Sequence, residues 1–274
     1  MTRFAHAVRE ELWVRGRLVE SRLDHGQALE DDGAILASDA RDDALVTACE
    51  RELARLRPAL PSAARVRLVA EASSEGISSA MTVRVGGLSI VTTLEHVADD
   101  VRLLTSCTTG VTPVPRRPLP LLWRNGSAAV LLHEAQGHAL EHGHAPLSLP
   151  EWLRVDIPLR MRRATFRDVP LLRMTHVRAE QRHAPFALPD ECIEVHLVEG
   201  GTYEPLTETV TIRIAAATLR GEALAPFVMV APRQALRFLG AQGEPLRYPG
   251  VICSREGQEL IVESHAPLLL TELA

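Results

Sequence analysis

The feature that most constrains this chain is a short polar motif that follows an apolar run. Residues 128–132 read AAVLL and predict a buried helix, which continues into the sequence HEAQGH at residues 133–138. Two imidazoles with a carboxylate beside the first are the side chains of hydrolytic zinc sites, where neutral histidines bind the metal and the carboxylate takes a proton from water. The motif is either such a metal site or three ordinary polar residues on a helix.

The spacing of the two histidines leaves both interpretations open. The common zinc-peptidase pattern places its histidines four residues apart, whereas His133 and His138 are separated by five steps. At about 100° per residue, five steps put the second ring roughly 140° round a regular α-helix from the first. A regular α-helix would therefore not bring both rings to one ion. A local π-helical widening would do so, as would a helix that loosens near Gly137, where no Cβ crowds the backbone.

The residues around the motif resemble the active-site segment of the TldD/PmbA family. The catalytic branch of that family carries HExxGHxLE after a run of small and apolar residues, and residues 125–141 contain every fixed position of this pattern. Residues 253–258, CSREGQ, are similar to the family segment CGKxGQ, which supplies a third zinc ligand. Residues 173–175, RMT, are similar to the RMT that precedes the substrate strands of the family.

This resemblance covers most of residues 121–274 and implies a zinc metallopeptidase, of a family also called modulators of DNA gyrase. It implies that His133, His138 and Cys253 bind Zn²⁺ and that Glu134 is the general base. The chain is far shorter than a typical member. Ser254 stands where the family usually has glycine, and residues 142–144, HGH, replace its usual Gly-Asp, which affects substrate range and access more than metal binding.

Several polar residues near these motifs have two interpretations each. Glu141 either accepts the second ring N–H of a ligand histidine or is a solvated acid at the end of a helix. Arg173 is either a substrate-binding residue, since its planar guanidinium suits a peptide carboxylate or carbonyl, or a strand-edge arginine. Tyr203, where the family often has Gly-x-Tyr, either contacts substrate or packs. His142 and His144 are either solvated loop residues or further ligands.

Four prolines within residues 111–120 predict a linker between two domains. The expected division is an N-terminal α/β domain over residues 1–110 and a C-terminal, β-rich metallopeptidase domain over residues 121–274. The fold class is therefore α+β. The resemblance implies that the second domain is a mostly antiparallel, curled sheet that carries the motif helix.

Hydrophobic periodicity predicts the elements of each domain. In the first we expect an opening helix with Phe4, Val8 and Leu12 on one face, a helix over about Asp43–Leu56, a strand at 66–70, and a hairpin that turns at Gly86-Gly87. In the second we expect strands at 193–197 and 210–214 followed by turns at Gly200-Gly201 and Gly221, then a buried strand at 227–230 and a short helix from Pro232 to Leu239.

Composition and charge exclude several classes of function. A formal net charge of −5 provides no electrostatic footprint for nucleic acid, so we expect no direct binding to it. No apolar run approaches the ~18 residues of a membrane span. The first residues contain no apolar segment typical of a secretory signal. Because the four cysteines are widely spaced, we expect reduced thiols and a cytoplasmic protein.

The function that the sequence predicts is hydrolysis of peptide bonds in unfolded segments or short peptides, with metal-activated water and Glu134 as base. The resemblance implies a working unit of two chains, either a homodimer or a heterodimer with a TldD/PmbA-family relative. The alternative is a non-catalytic assembly subunit, in which a structural zinc helps the chain to close a partner's chamber. A closed four-ligand site that included His142 or His144 would favour that alternative.

Overall fold

The computed structural model describes residues 5–14, 17–30, 47, 51, 54–55, 63–73, 76–85, 87–92, 96–107, 111–164, 170–255 and 258–273. The strands within these residues are β1 (Ala5–Val14), β2 (Arg17–Glu30), β3 (Ala63–Ser73), β4 (Gly76–Val85), β5 (Leu88–Thr92), β6 (Leu121–Trp123), β7 (Leu153–Asp156), β8 (Leu159–Ala164), β9 (Pro170–Met174), β10 (His176–Gln181), β11 (Ile193–Glu204), β12 (Thr209–Leu219), β13 (Glu222–Ala223), β14 (Phe227–Pro232), β15 (Leu236–Arg255) and β16 (Gln258–Leu273). The helices whose bounds lie within the described residues are α1 (Val97–Ser106), α2 (Ala128–Leu132), a π-helix (His133–His138), α3 (Ala139–Glu141) and a 3₁₀ turn (Arg233–Ala235).

The predicted α+β class is confirmed, because two large sheets dominate and the helices are few. One sheet has seven strands in the order β5-β4-β3-β1-β2-β8-β9. The other follows the order β13-β12-β11-β6-β16-β10-β7, with β14 paired to β12 and β15 paired to β16. Pairing in this second sheet is mostly antiparallel, and the parallel pairs among the described strands are β6 with β11 and β10 with β16.

The chain forms two compact units, each assembled from separate segments. The first unit contains Met1–Val101, Leu159–Arg173 and Pro249–Val262, and the second contains Arg102–Pro158, Met174–Tyr248 and Glu263–Ala274. These units do not coincide with residues 1–110 and 121–274. The proline-rich residues 111–120 belong to the second unit, where Thr112 donates its backbone N–H to Ala223 O at 2.9 Å. A linker role for them stays a prediction.

The opening helix predicted for the first unit is wrong, because residues 5–14 form β1. This strand pairs with β2 on one edge and with β3 on the other, both antiparallel, over its whole length. A spacing of four residues between apolar side chains fits one face of a helix, but it also fits one face of a strand, on which every second residue points the same way. Hydrogen bonding on both edges of β1 decides between them. Phe4 itself lies outside the described residues.

Other predictions for the first unit are confirmed where the structure describes them. The strand at 66–70 is part of β3, and the predicted hairpin joins β4 to β5, with Val85 opposite Leu88 in the register. Most of the helix expected over Asp43–Leu56 lies outside the described residues. The residues of that stretch that are described, at positions 47, 51, 54 and 55, are helical.

In the second unit the structure confirms two strands and corrects three details. Residues 193–197 and 210–214 lie in β11 and β12, with alternate side chains buried as expected. Gly200-Gly201 does not form a turn but lies inside β11, where the register shifts between Val198 and Gly200. The strand at 227–230 is not fully buried, since Val228 is 55% exposed and Val230 is 60% exposed.

The third correction concerns the helix that was expected from Pro232 to Leu239. Only a 3₁₀ turn over Arg233–Ala235 forms there, and Leu236 has the extended backbone that begins β15. Proline pre-sets φ for the start of a helix but does not prevent a strand from following one turn later. The predicted turn at Gly221 is confirmed, where left-handed φ values at Arg220 and Gly221 connect β12 to β13.

The helix that carries the motif begins in the core of the second unit. All five residues of α2 are buried, and the preceding strand β6 is buried as well. The indole N–H of Trp123 donates to Thr271 Oγ1 at 2.8 Å, which satisfies the polar atom of a fully buried ring. The apolar run therefore anchors the polar motif that follows it.

Among the described residues, every helix is too short or too polar to span a membrane.

Candidate functional site

The motif HEAQGH adopts a π-helix, which runs from His133 to His138 between α2 and α3. We use the name motif helix for residues 128–141, which combine these three segments. In a π-helix, residues five apart lie one above the other. The ring centroids of His133 and His138 are accordingly 4.8 Å apart, with the ring planes at 86°. Of the two ways that the five-residue spacing left open for aligning the rings, the structure shows the π-type widening, and it brings both imidazoles to one side of the helix.

Gly137 packs against the end of a side chain from β9. A Cβ at this residue would lie 2.5 Å from Sδ and 2.7 Å from Cε of Met174, whose side chain is buried. The Met174 side chain thus occupies the space that any larger residue at position 137 would need. A larger residue at position 137 would have to displace the end of the Met174 side chain.

A buried carboxylate contacts one ring nitrogen of His138. Nδ1 of His138 lies 2.8 Å from Oε2 of Glu141, whose side chain has no exposed area. The other oxygen, Glu141 Oε1, accepts the backbone N–H of Met174 at 2.7 Å. Glu141 is therefore not a solvated acid at the end of the helix. It makes the contact by which a carboxylate orients a ligand histidine, with Nδ1 as the donor and a lone pair left on Nε2.

Glu134 lies between the two histidines in the sequence, and it is only 4% exposed. Its Oε2 is 3.7 Å from Nε2 of His138 and accepts no hydrogen bond from the described residues. Burial raises the pKa of this carboxyl to about 7, although the charges of His138 and Arg213 lower it. A carboxyl in this state can both accept and release a proton near neutral pH.

Strand β11 provides the space for Glu134. A Cβ at Gly201 would lie 2.4 Å from Cγ and 2.9 Å from Cδ of Glu134, closer than such atoms can approach. It would also lie 2.9 Å from Cδ1 of Ile212 on the neighbouring strand. The glycine pair that was expected to form a turn therefore has another role, because Gly201 leaves room beside the strand for the buried carboxylate.

Cys253 lies in strand β15. Its side chain is buried, and its sulfur accepts a hydrogen bond from Nη2 of Arg173 at 2.9 Å. The same nitrogen lies 3.3 Å from the backbone oxygen of Cys253. Arg173 is fully buried in β9, so its guanidinium serves a neighbouring residue within the protein.

Taken as a donor set, His133, His138 and Cys253 could hold a metal ion. His133 and Cys253 are buried, and His138 is half-buried. Two imidazole nitrogens and one sulfur suit zinc, which binds such ligands readily and accepts water as a fourth. Neither His142 nor His144 belongs to the set that the described residues form. The identity of the metal stays a prediction.

Tyr203 lies two residues beyond Gly201 on β11, so the two face the same side of the strand. The Tyr203 hydroxyl lies 2.8 Å from Nδ1 of His144, in the loop after the motif helix. Burial raises the pKa of Tyr203, which keeps its hydroxyl protonated at neutral pH. His144 is thus in contact with a neighbouring side chain. The phenol of Tyr203 lies two residues along β11 from Gly201, which borders Glu134.

Behind His144 lies an ion pair that the sequence did not indicate. Glu208 Oε2 is 3.5 Å from Nδ1 of His144 and 2.5 Å from Nε of Arg233, which is buried. Arg233 also donates from Nη2 to the backbone oxygen of Ala145 at 2.8 Å. The Arg233 hydrogen bond lowers the pKa of the Glu208 carboxyl. Glu208 has a left-handed backbone φ, which is uncommon for a residue other than glycine. The sequence does not indicate this conformation.

Comparison with known proteins yields structural neighbours alone. No protein-family model and no curated protein matches the chain. Similar solved structures include TldE from Thermococcus kodakarensis, with a TM-score of 0.47 over 98% of this chain and 95% of the other. Two proteins proposed to modulate DNA gyrase are also similar. The protein from Thermotoga maritima has a TM-score of 0.47, with 100% of this chain and 95% of the other chain covered. The protein from Bacteroides thetaiotaomicron has a TM-score of 0.45, with 99% of this chain and 93% of the other chain covered. All three are 10% identical to this chain. At these values the site's chemistry must be argued from its own side chains.

Proposed function

We propose that this protein is a zinc-dependent peptidase that hydrolyses peptide bonds in unfolded segments or short peptides. The observation that carries the proposal is the π-helix, which brings the His133 and His138 rings together and leaves Glu134 Oε2 at 3.7 Å from Nε2 of His138. A chance pair of histidines has no reason to require this rare helical form. A reduced Cys253 thiol is also needed, which agrees with the cytoplasmic location expected from the sequence.

Each residue of the site has a distinct part in the proposed reaction. His133, His138 and Cys253 would hold Zn²⁺, which when bound polarises a scissile carbonyl and lowers the pKa of a water molecule. Glu134 takes a proton from the attacking water and passes it to the leaving amine. Glu141 keeps the His138 ring in one orientation, and the Tyr203 hydroxyl offers a hydrogen bond to a substrate oxygen. The buried surroundings strengthen each of these electrostatic interactions.

The alternative, an assembly subunit with structural zinc, has less support from the site. Structural zinc is usually held by four protein ligands, whereas the described residues supply three. His144, a candidate for the fourth ligand, faces Tyr203 and Glu208 instead. A buried carboxylate beside the histidines also has an obvious use in hydrolysis and none in a purely structural site.

We expect about one zinc ion per chain in protein purified without chelator, because a catalytic site of this kind binds a single metal. Elemental mass spectrometry measures the stoichiometry, and an assay on unfolded protein and short peptides measures hydrolysis before and after chelation. Hydrolysis should disappear with the metal and return when zinc is added. Metal that remains clearly sub-stoichiometric after zinc is supplied would refute the proposal.

We also propose that the working unit is a dimer, either of this chain or with a TldD/PmbA-family relative. Strand β14 pairs with β12 and leaves the apolar side chains of Val228 and Val230 more than half exposed, which gives a second chain an apolar surface to cover. Light scattering on the purified chain, alone and with any co-purifying partner, should give the mass of two chains. A fully active monomer would contradict this expectation.

A further inference from the structure

Arg173 is a fully buried charged residue whose position needs a physical reason. Burying a guanidinium is energetically costly unless it is paired and hydrogen-bonded, so a buried arginine is expected where its contacts serve the structure or the chemistry. Arg173 donates from Nη2 to Cys253, at 2.9 Å to the sulfur and 3.3 Å to the backbone oxygen. With no exposed area, this guanidinium has no surface to offer a substrate.

The next residue in the chain supports the histidine side of the site. The backbone N–H of Met174 donates to Glu141 Oε1, and Glu141 Oε2 lies 2.8 Å from Nδ1 of His138. The Met174 side chain meanwhile packs against Gly137, immediately before His138. Two adjacent residues therefore support one proposed sulfur ligand and one proposed nitrogen ligand.

We propose that the Arg173-Met174 pair positions the metal donors and does not bind substrate. Arg173 holds the sulfur of Cys253, while the Met174 backbone holds Glu141 and through it His138. This inference rests on the proposed function, since it assigns these residues to the same metal site. It replaces the substrate-binding role that the arginine fork suggested from sequence alone.

The chemistry of the guanidinium fits this task better than that of a lysine. Arginine presents several N–H donors in one rigid plane, so a single side chain can serve a sulfur and a carbonyl that lie close together. Hydrogen bonds from a charged donor are also stronger than neutral ones. A lysine would keep the positive charge but lose the fixed plane.

The central test is the substitution Arg173→Lys in the full-length protein, with Arg160→Lys as a matched control. Arg160 is exposed on β8, in the same sheet as Arg173. Loss of a residue that orients a metal ligand typically weakens metal affinity by about 10–100-fold. Competition with a chromophoric chelator should show this loss for Arg173→Lys and no change for the control. The cobalt-substituted variant should also have a weaker sulfur-to-cobalt charge-transfer absorption.

Peptide kinetics separate the positioning role from substrate binding. If Arg173 positions the metal donors, KM for peptide should stay unchanged and excess zinc should restore part of kcat. A raised KM with unchanged zinc affinity would overturn the proposal in favour of substrate binding. Arg173→Met, which removes the charge, should weaken zinc affinity further than Arg173→Lys, and wild-type zinc affinity in both variants would show that the guanidinium has no such role.

A metal-free measurement distinguishes failure of this inference from failure of the proposed function. Urea unfolding with chelator present is compared for the wild type, Arg173→Lys, Cys253→Ala and the double variant. The midpoint shifts of the single variants should not add, because the two side chains contact each other. Additive shifts would overturn the positioning role. A protein that shows this coupling but binds no zinc would instead refute the peptidase proposal.

Discussion

Replacing Glu134 by glutamine should lower kcat for peptide hydrolysis by about 10²–10⁴-fold, the range expected when a general base is lost. Glutamine has nearly the same shape as the buried carboxyl, so the motif helix should keep its form. It cannot accept the proton of the attacking water, because an amide is not a base at neutral pH. Zinc content should remain at the wild-type level, since Glu134 is proposed to act on the water and not to bind the metal.

Initial rates on an unfolded protein substrate, with metal analysis of the same preparation, test this expectation. Glu151→Gln is a matched control, because Glu151 is exposed on the surface of the same unit. The control should keep both activity and zinc. Loss of zinc together with activity in Glu134→Gln would mean that the carboxylate is a ligand, and unchanged activity would mean that it has no part in the reaction.

Gly201→Ala should reduce kcat by about 10²-fold, because a displacement of about 1 Å at a reacting group can cost that much. The new Cβ would lie 2.4 Å from Cγ of Glu134 and 2.9 Å from Ile212 Cδ1, so the carboxylate must move away from the strand. The backbone at Gly201 lies in β11, where alanine is tolerated, so the effect should come from displacement of Glu134 and not from backbone strain.

The kinetic and structural effects of this substitution can be measured separately. Gly87→Ala is the control, since a Cβ at Gly87 would meet no atom within 4 Å. Thermal unfolding and zinc content of Gly201→Ala should remain near wild type while kcat falls. A variant with full activity would show that the Glu134 carboxylate need not occupy its observed position.

The motif and its local helix were predictable from the sequence alone. The apolar run at 128–132 identified a buried helix, and the five-residue spacing of His133 and His138 identified a π-type widening as one way to align the rings. Both are local properties, because they depend on residues within one or two turns of each other. The reason for Gly137 was only partly local, since its missing Cβ also accommodates Met174, a residue that is distant in sequence.

Elements with ambiguous periodicity were decided by tertiary pairing. The spacing of Val8 and Leu12 fits a helix and a strand equally, and β1 is a strand because β2 and β3 satisfy its backbone on both edges. Likewise Gly200-Gly201 has the composition of a turn, yet it lies in β11 because β12 pairs with it on both sides of a register shift. Hydrogen bonding between distant segments outweighs these weak local preferences.

By itself, the sequence determined the chemical types of the candidate site, which are two imidazoles, a carboxylate between them and a cysteine far along the chain. Only the tertiary structure decided how those groups are supported. Arg173 is buried against Cys253, and Glu208 pairs with Arg233 behind His144. No local pattern distinguishes a buried arginine from a solvated one, because burial depends on segments that fold against it from elsewhere in the chain.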